Sequence, residues 1–270
     1  QYISFAAPIN DQGVMNIYVR YKTDGKVTYK LPLTVSGTTM NSQDLDVHVA
    51  IDPDTLNIMN QERFSTRTEL FYELLDEKFY SFSESVHIPA DSYAETMNID
   101  FTLNGIDMVE KWVLPLTIVD DASYNYMSHP RKNYAKALLR VIPFNDYSGT
   151  YDAAQYRIFL KPDVKNPFTI SSQRAFVVDD RTIFIYAGTR NIDYLDRKQY
   201  KVFIRFPEKG TDSKLLEVWS DNPEIELELD EKKACTFTMN EEMDELKPYL
   251  KKIYITLYLY YSFKDYTTVP

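Results

Sequence analysis

The sequence predicts an all-β chain of two domains, a β-sandwich followed by an antiparallel β-barrel. Three observations predict it. Apolar and polar residues alternate in short runs from end to end, the period of a strand with one buried face. Tyr and Phe are abundant, 22 and 15 residues against 2 Trp, and their rings suit a pleated, half-buried surface. The alternation also breaks near Pro143 and restarts at Tyr147-Ser148-Gly149-Thr150-Tyr151, and 270 residues are enough for two ordinary cores.

In the first half Leu45, Val47, Val49 and Ile51 alternate with Asp46, His48 and Ala50. Met97, Ile99, Phe101 and Leu103 alternate in the same way with Asn98, Asp100 and Thr102. Further strands are predicted at Ile17 to Tyr21, Val27 to Val35, Ser85 to Ile88, Trp112 to Val119 and Ala137 to Ile142. Short strands separated by turn signals, about seven in all, make the pattern of a sandwich. Between them Pro53 to Leu75 opens on Asp52-Pro53 and mixes Leu56, Ile58 and Met59 with polar residues. That is a helix-start signal, and it predicts a crossover with short helical turns.

The boundary is placed after Pro143, giving domains 1–143 and 144–270. In the second domain strands are predicted at Tyr156 to Leu160, Arg174 to Val178, Thr182 to Ala187, Lys201 to Phe206 and Leu215 to Trp219. Others follow at Ile225 to Leu229, Ala234 to Met239 and Lys252 to Lys264. The run Asn240, Glu241, Glu242, Met243, Asp244, Glu245 reads as a short acidic helix capped by Asn240 and ended near Pro248. Sequential antiparallel strands must close or cover their edges, which a barrel does most completely. A final strand beyond Val269-Pro270 is expected.

Hydrophobic residues make up 44% and charged residues 26%, a globular composition. The net charge of −10 repels phosphate backbones, and no Lys/Arg cluster makes a local exception, so nucleic acid is excluded as a partner. No apolar run reaches the length of a membrane span, and Gln1 to Asn10 lack the basic and apolar regions of a signal peptide. The single Cys235 forms no internal disulfide and is predicted to be a small buried thiol.

Four segments carry a family resemblance: Leu31-Pro32-Leu33-Thr34-Val35-Ser36-Gly37, the alternating Val47 to Asp52, Ser85-Val86-His87-Ile88-Pro89-Ala90-Asp91-Ser92, and Trp112-Val113-Leu114-Pro115-Leu116-Thr117-Ile118. In order and spacing the region 1–142 resembles the BT_3987-like N-terminal domain family of Bacteroidetes surface proteins. It departs from that family at Asp91, where Gly is common in the turn. The second half resembles a lipocalin-like, or calycin-like, module through Tyr147-Ser148-Gly149-Thr150-Tyr151 and Ser220-Asp221-Asn222-Pro223. The resemblance implies an Ig-like sandwich followed by a calycin-like barrel. It also implies an exported lipoprotein held at the outer-membrane cell surface by a lipid anchor outside this chain. Its implied role is that of a non-catalytic adhesin or glycan-binding partner of SusC/SusD-type proteins in a polysaccharide-utilisation system. Complex or host N-glycans are conceivable ligands, because a related domain is attached to endoglycosidases.

No enzyme signature is present. His48, His87 and His129 lack metal-site spacing, so no metal or other cofactor is expected. With 7 Gly and no nucleophile elbow, local geometry for nucleotide or acyl chemistry is missing. The adjacent pairs Asp120-Asp121, Asp179-Asp180 and Glu241-Glu242 point to opposite faces on a strand, which suits turns better than joint acid–base work. Sugar binding asks for an aromatic face and polar partners. Tyr258 and Tyr260, about 7 Å apart on one face of a strand, offer a stacking platform or, alternatively, ordinary cross-strand packing. Trp219 beside Asp221 and Asn222 suits a sugar or caps a barrel end. Arg190, Asn191, Asp193 and Tyr194 form a polar-aromatic loop that binds a ligand or is merely solvated, and Trp112 reads as core. Two rivals stand beside glycan binding: a structural or protein-binding subunit of a surface assembly, and a cryptic glycan hydrolase.

Overall fold

A computed structural model describes residues 1–37, 40–161 and 164–267. The chain divides into two compact units, Gln1–Pro143 and Phe144–Pro270, and both are built almost wholly of strands.

In the first unit the strands are β1 Tyr2–Phe5, β2 Met15–Arg20, β3 Lys26–Ser36, β4 Leu45–Ile51, β5 Glu73–Leu74, β6 Tyr80–Phe82, β7 Ser85–Ile88, β8 Ala94–Thr102, β9 Trp112–Ile118, β10 Met127–Ser128 and β11 Lys136–Phe144. They form two sheets, ordered β10-β1-β3-β8-β6 and β2-β11-β9-β4-β7, with β5 beside β9. Leu45 and Val47 on β4, and Met97, Ile99 and Phe101 on β8, are buried as their alternation predicts. Between β4 and β5 the helix α1, Pro53–Phe64, starts where Asp52 accepts the Thr55 N–H at 3.1 Å and Pro53 takes the first turn. Leu56 then packs on Val14, Tyr72, Val113 and Leu138. At Asp91 the backbone is left-handed with φ 62°, a conformation that Gly adopts freely. Its N–H donates to the Asn41 carbonyl at 2.7 Å, which holds the turn without Gly. The short strands β1, β5, β6 and β10 were not predicted, being too brief to show a period.

In the second unit β12 Gly149–Asp152, β13 Ser172–Val177, β14 Thr182–Tyr186, β15 Lys201–Arg205 and β16 Glu217–Trp219 lie side by side in chain order. Two ribbons complete it, β17 Glu228–Leu229 with β20 Tyr261–Ser262, and β18 Thr236–Met243 with β19 Lys251–Tyr258. The strands curl as a half-barrel around Ile183, Ile185, Val202, Ile204, Phe206 and Phe237, with Ile255 and Leu257 packed against them. Cys235 is buried and free, as expected.

Four expectations are corrected here. Asn240 to Met243 belong to β18 and not to a helix. Glu241 pairs with Lys251, Glu242 accepts the Tyr254 hydroxyl at 2.7 Å, and Asp244 pairs with Lys252 at 2.9 Å, so the opposite strand neutralises the acidic run. Tyr156 to Leu160 is not a strand; only Ile158 bridges, to Phe168. The run Ile225 to Leu229 begins as a 3-10 turn, Pro223–Ile225, and only Glu228–Leu229 pairs. The long strand from Lys252 is broken after Tyr258, where the Tyr260 N–H turns to the Cys235 sulfur at 3.4 Å. The final strand expected beyond Val269-Pro270 lies outside the described residues. Among those residues no helix is long and apolar enough to cross a membrane.

Candidate binding site

One end of the half-barrel gathers most of the sequence-predicted site residues. The loop between β14 and β15 carries Arg190, Asp193 and Tyr194, and a 3-10 turn, Arg197–Tyr200, leads from it into β15. The segment after β16 carries Asp221 and Asn222. Asn222 ties the two together, its side-chain amide donating to the Gln199 carbonyl and to the Tyr266 hydroxyl, each at 2.9 Å. Its carbonyl oxygen accepts the Glu224 N–H and so caps the turn Pro223–Ile225.

Arg190, read from the sequence as a ligand-binding or merely solvated loop residue, is neither exposed nor open to a ligand here. It is 6% exposed. Its guanidinium grips Asp265 through both Nη atoms at 3.0 and 2.8 Å, donates from Nε to Asp196 at 3.0 Å, and lies 3.5 Å from the Tyr200 ring centre. Burial by itself would lower its pKa, but the bonds to Asp265 and Asp196 carry it above the ordinary value. Asp196 moves the other way. Desolvation works against its charge, yet the bonds from Arg190 and Thr267 hold the carboxyl below its usual range. This network fixes the base of the loop and leaves Tyr194 and Leu195 exposed at its tip. Asp193 is exposed too, with its own N–H bonded to Asn191.

Trp219 is half-buried on the sheet face opposite the Ile183–Ile204 core. Its ring stacks on that of Phe203 at 5.3 Å, the Arg205 guanidinium lies 5.0 Å from its centre, and its N–H donates to Asp221 at 3.0 Å. Cross-strand register places it directly opposite Phe203. The indole therefore presents a held, partly covered edge and not a free platform. The tyrosine platform is not built either. Tyr258 ends β19 with 42% of its surface exposed, while Tyr260 lies past the break under the Lys233 ammonium. No described contact joins that pair to the Asn222 end.

Sequence reasoning missed Gln199, Tyr200, Asp265 and Tyr266, whose partners are tens of residues away. The Tyr200 hydroxyl donates to Asp265 at 3.0 Å and accepts the N–H groups of Tyr266 and Thr267. Trp112 donates its indole N–H to the Asp107 carbonyl, a structural contact. Among the described residues no cluster of His, Cys, Asp and Glu could hold a metal ion.

Residues 1–122 match the family model of a domain of unknown function, DUF4973, and residues 135–269 match that of a C-terminal domain. Three solved structures of Bacteroides proteins are similar over the whole chain. A Bacteroides ovatus protein of unknown function is 48% identical with a TM-score of 0.87, covering 99% of this chain and 88% of its own. A multidomain protein including DUF1735 from the same organism is 47% identical, with a TM-score of 0.86 over 99% and 87% of the two chains. An auxiliary nutrient binding protein from Bacteroides thetaiotaomicron is 40% identical, with a TM-score of 0.84 over 100% and 89%. A comparison with curated proteins finds no match.

Proposed function

The chain belongs to the same family as these Bacteroides proteins, a DUF4973 domain followed by the matched C-terminal domain, and from that premise we propose that it is an exported, cell-surface protein that binds a nutrient glycan without cleaving it. The observation that carries this reading is the 40% identity, over the full chain, with an auxiliary nutrient binding protein. The finer kinship, to BT_3987-like and lipocalin-like modules, belongs to the proposal, as do a lipid anchor and SusC/SusD-type partners.

The glycan is placed at the Asn222 end of the second unit. There the exposed Tyr194 and the half-exposed edge of Trp219 supply apolar ring surface, and Asp193 and Asp221 supply acceptors for hydroxyls. Because the Trp219 edge lends apolar contact and its N–H orients the Asp221 acceptor, Trp219→Ala is expected to weaken a glycan about tenfold. The check is calorimetric titration of that variant with a glycan selected from an array, its folding verified by melting. An unchanged affinity removes Trp219 from the site, and release of reducing sugar from the same panel overturns the non-catalytic reading. A second reading, a protein-binding subunit, draws on the tip of the β18–β19 ribbon, where Leu246 is 91% and Tyr249 78% exposed. Binding of a surface protein with no response to any glycan favours that reading.

A further inference from the structure

The first unit holds a groove where its two sheets exchange strands. β6 pairs with β8 only at Tyr80↔Phe101, Ser81↔Asp100 and Phe82↔Ile99. Ser83 and Glu84 then carry the chain away to β7, which pairs with β4 in the other sheet. The stretch of β8 before Ile99 is thus left without a strand partner on that edge among the described residues, although β3 pairs along its other edge to Ala94. The groove that opens there has a volume of about 450 Å³, within the range of about 300 to 1,000 Å³ common for small-ligand sites.

Its apolar lining is the half-buried Phe82 ring, with Val86 and Met97 buried behind it in the core. Its walls are polar and hold unspent hydrogen-bonding capacity. The hydroxyls of Ser81 and Thr96 and the side-chain amide of Asn98 line it, and none has a hydrogen-bond partner among the described residues. The carboxylates of Glu95 and Asp100 add acceptors. Asp100 takes the Thr28 hydroxyl with one oxygen, and Glu95 reaches back to the Thr96 N–H at 2.8 Å. That N–H is a strand-edge donor masked by a side chain that a ligand can displace.

We propose that this groove is a second binding site, for a neutral polyhydroxylated ligand of disaccharide size. Hydroxyl groups both donate and accept, which matches a wall that alternates carboxylate, amide and hydroxyl, and a sugar's C–H face matches the half-buried Phe82 ring. Anionic sugars are disfavoured by Glu95 and Asp100, and the one imidazole of the lining, His87, is already engaged by Asp46 at 2.8 Å and Asp44 at 3.8 Å. The site shares with the function proposed above only the class of ligand. It lies in the other unit and uses none of the same residues.

The test is amide NMR of the full chain titrated to millimolar concentrations with maltose, cellobiose and N,N′-diacetylchitobiose, and with digalacturonate as the anionic control. At least one neutral disaccharide should move the amides of 81–85 and 96–100 saturably, digalacturonate should not, and Asn98→Ala should weaken the effect about tenfold. The proposal is overturned if no neutral sugar moves these amides, if Asn98→Ala binds as tightly, or if digalacturonate binds equally well. The Trp219 indole N–H reports separately on the other site. If it moves while the groove stays still, the groove fails and the proposed function stands. If the groove alone responds, the groove stands and the placement at the Asn222 end fails.

Discussion

Arg190 spends its donors on Asp265, Asp196 and Thr267, with the Tyr200 ring against its plane. Such an arrangement contributes through what its loss leaves behind, two carboxylates without their cation. Replacing Arg190 by Gln is expected to cost roughly 3 kcal/mol, the lower end for a broken pair, because Asp265 retains 38% of its side-chain exposure. The pH dependence follows from Asp196. Its pKa in the fold lies below the ordinary 3.8, so its stabilising effect is complete above 3.8 and is lost as pH falls through the lower folded value. In Arg190→Gln the carboxyl has no cation to hold it ionised, and protonation relieves the strain. Urea unfolding of both proteins at neutral pH and just below pH 3.8 should show the deficit of the variant shrinking in acid. A deficit that grows instead assigns the network no electrostatic role. None of this was legible in the sequence, since Arg190 and Asp265 are 75 residues apart and each alone looks like a loop charge.

At the scale of elements, α1 shows what a local signal can do. Asp52 accepts both the N–H and the hydroxyl of Thr55 and also takes the Lys136 ammonium. Its carboxyl is held below the usual value although burial opposes this, through the bonds from Lys136 and Thr55. Asp52→Ala should therefore cost about 2 kcal/mol, a cap plus a pair, and Asp52→Asn, which keeps a cap, distinctly less. Denaturant midpoints of the two variants check this, and equal losses would mean that the cap contributes little. Asp52-Pro53 was readable because capping is settled within one turn. The strands β4 and β8 were readable for a similar reason, their alternation being fixed by a single buried face, and β9 and β11 as short apolar runs buried along nearly their whole length. The β18–β19 ribbon was not. Asn240 to Glu245 has the look of a capped acidic helix, and the ladder to β19, which brings Lys251, Lys252 and Tyr254 opposite, makes Asn240 to Met243 a strand. Half of the candidate binding end was legible in the same limited sense: Trp219, Asp221 and Asn222 lie close in sequence, whereas Tyr266 reaches Asn222, and Tyr200 reaches Tyr266, only through the fold.

For the whole molecule the decisive feature is where the apolar surface goes. Residues of the first core, such as Leu45, Ile99 and Leu139, and those of the second, such as Ile183, Val202 and Phe237, belong to separate compact units divided between Pro143 and Phe144. Each unit is long enough to bury a core of its own, being near the common domain size of about 100 to 150 residues. Fragments 1–143 and 144–270 are therefore expected to fold independently, each with a single cooperative denaturant transition. Because the slope of such a transition scales with the surface exposed on unfolding, each fragment should show about half the slope of the full chain. Near-ultraviolet circular dichroism, strong in a chain with this many tyrosines, gives a second probe of fixed packing in each piece. If neither fragment melts cooperatively while the full chain does, the two cores are one folding unit and the division is wrong. If both do, each proposed sugar site can be titrated in its own fragment, and a glycan that moves 1–143 but not 144–270 assigns its binding to the groove beside β8.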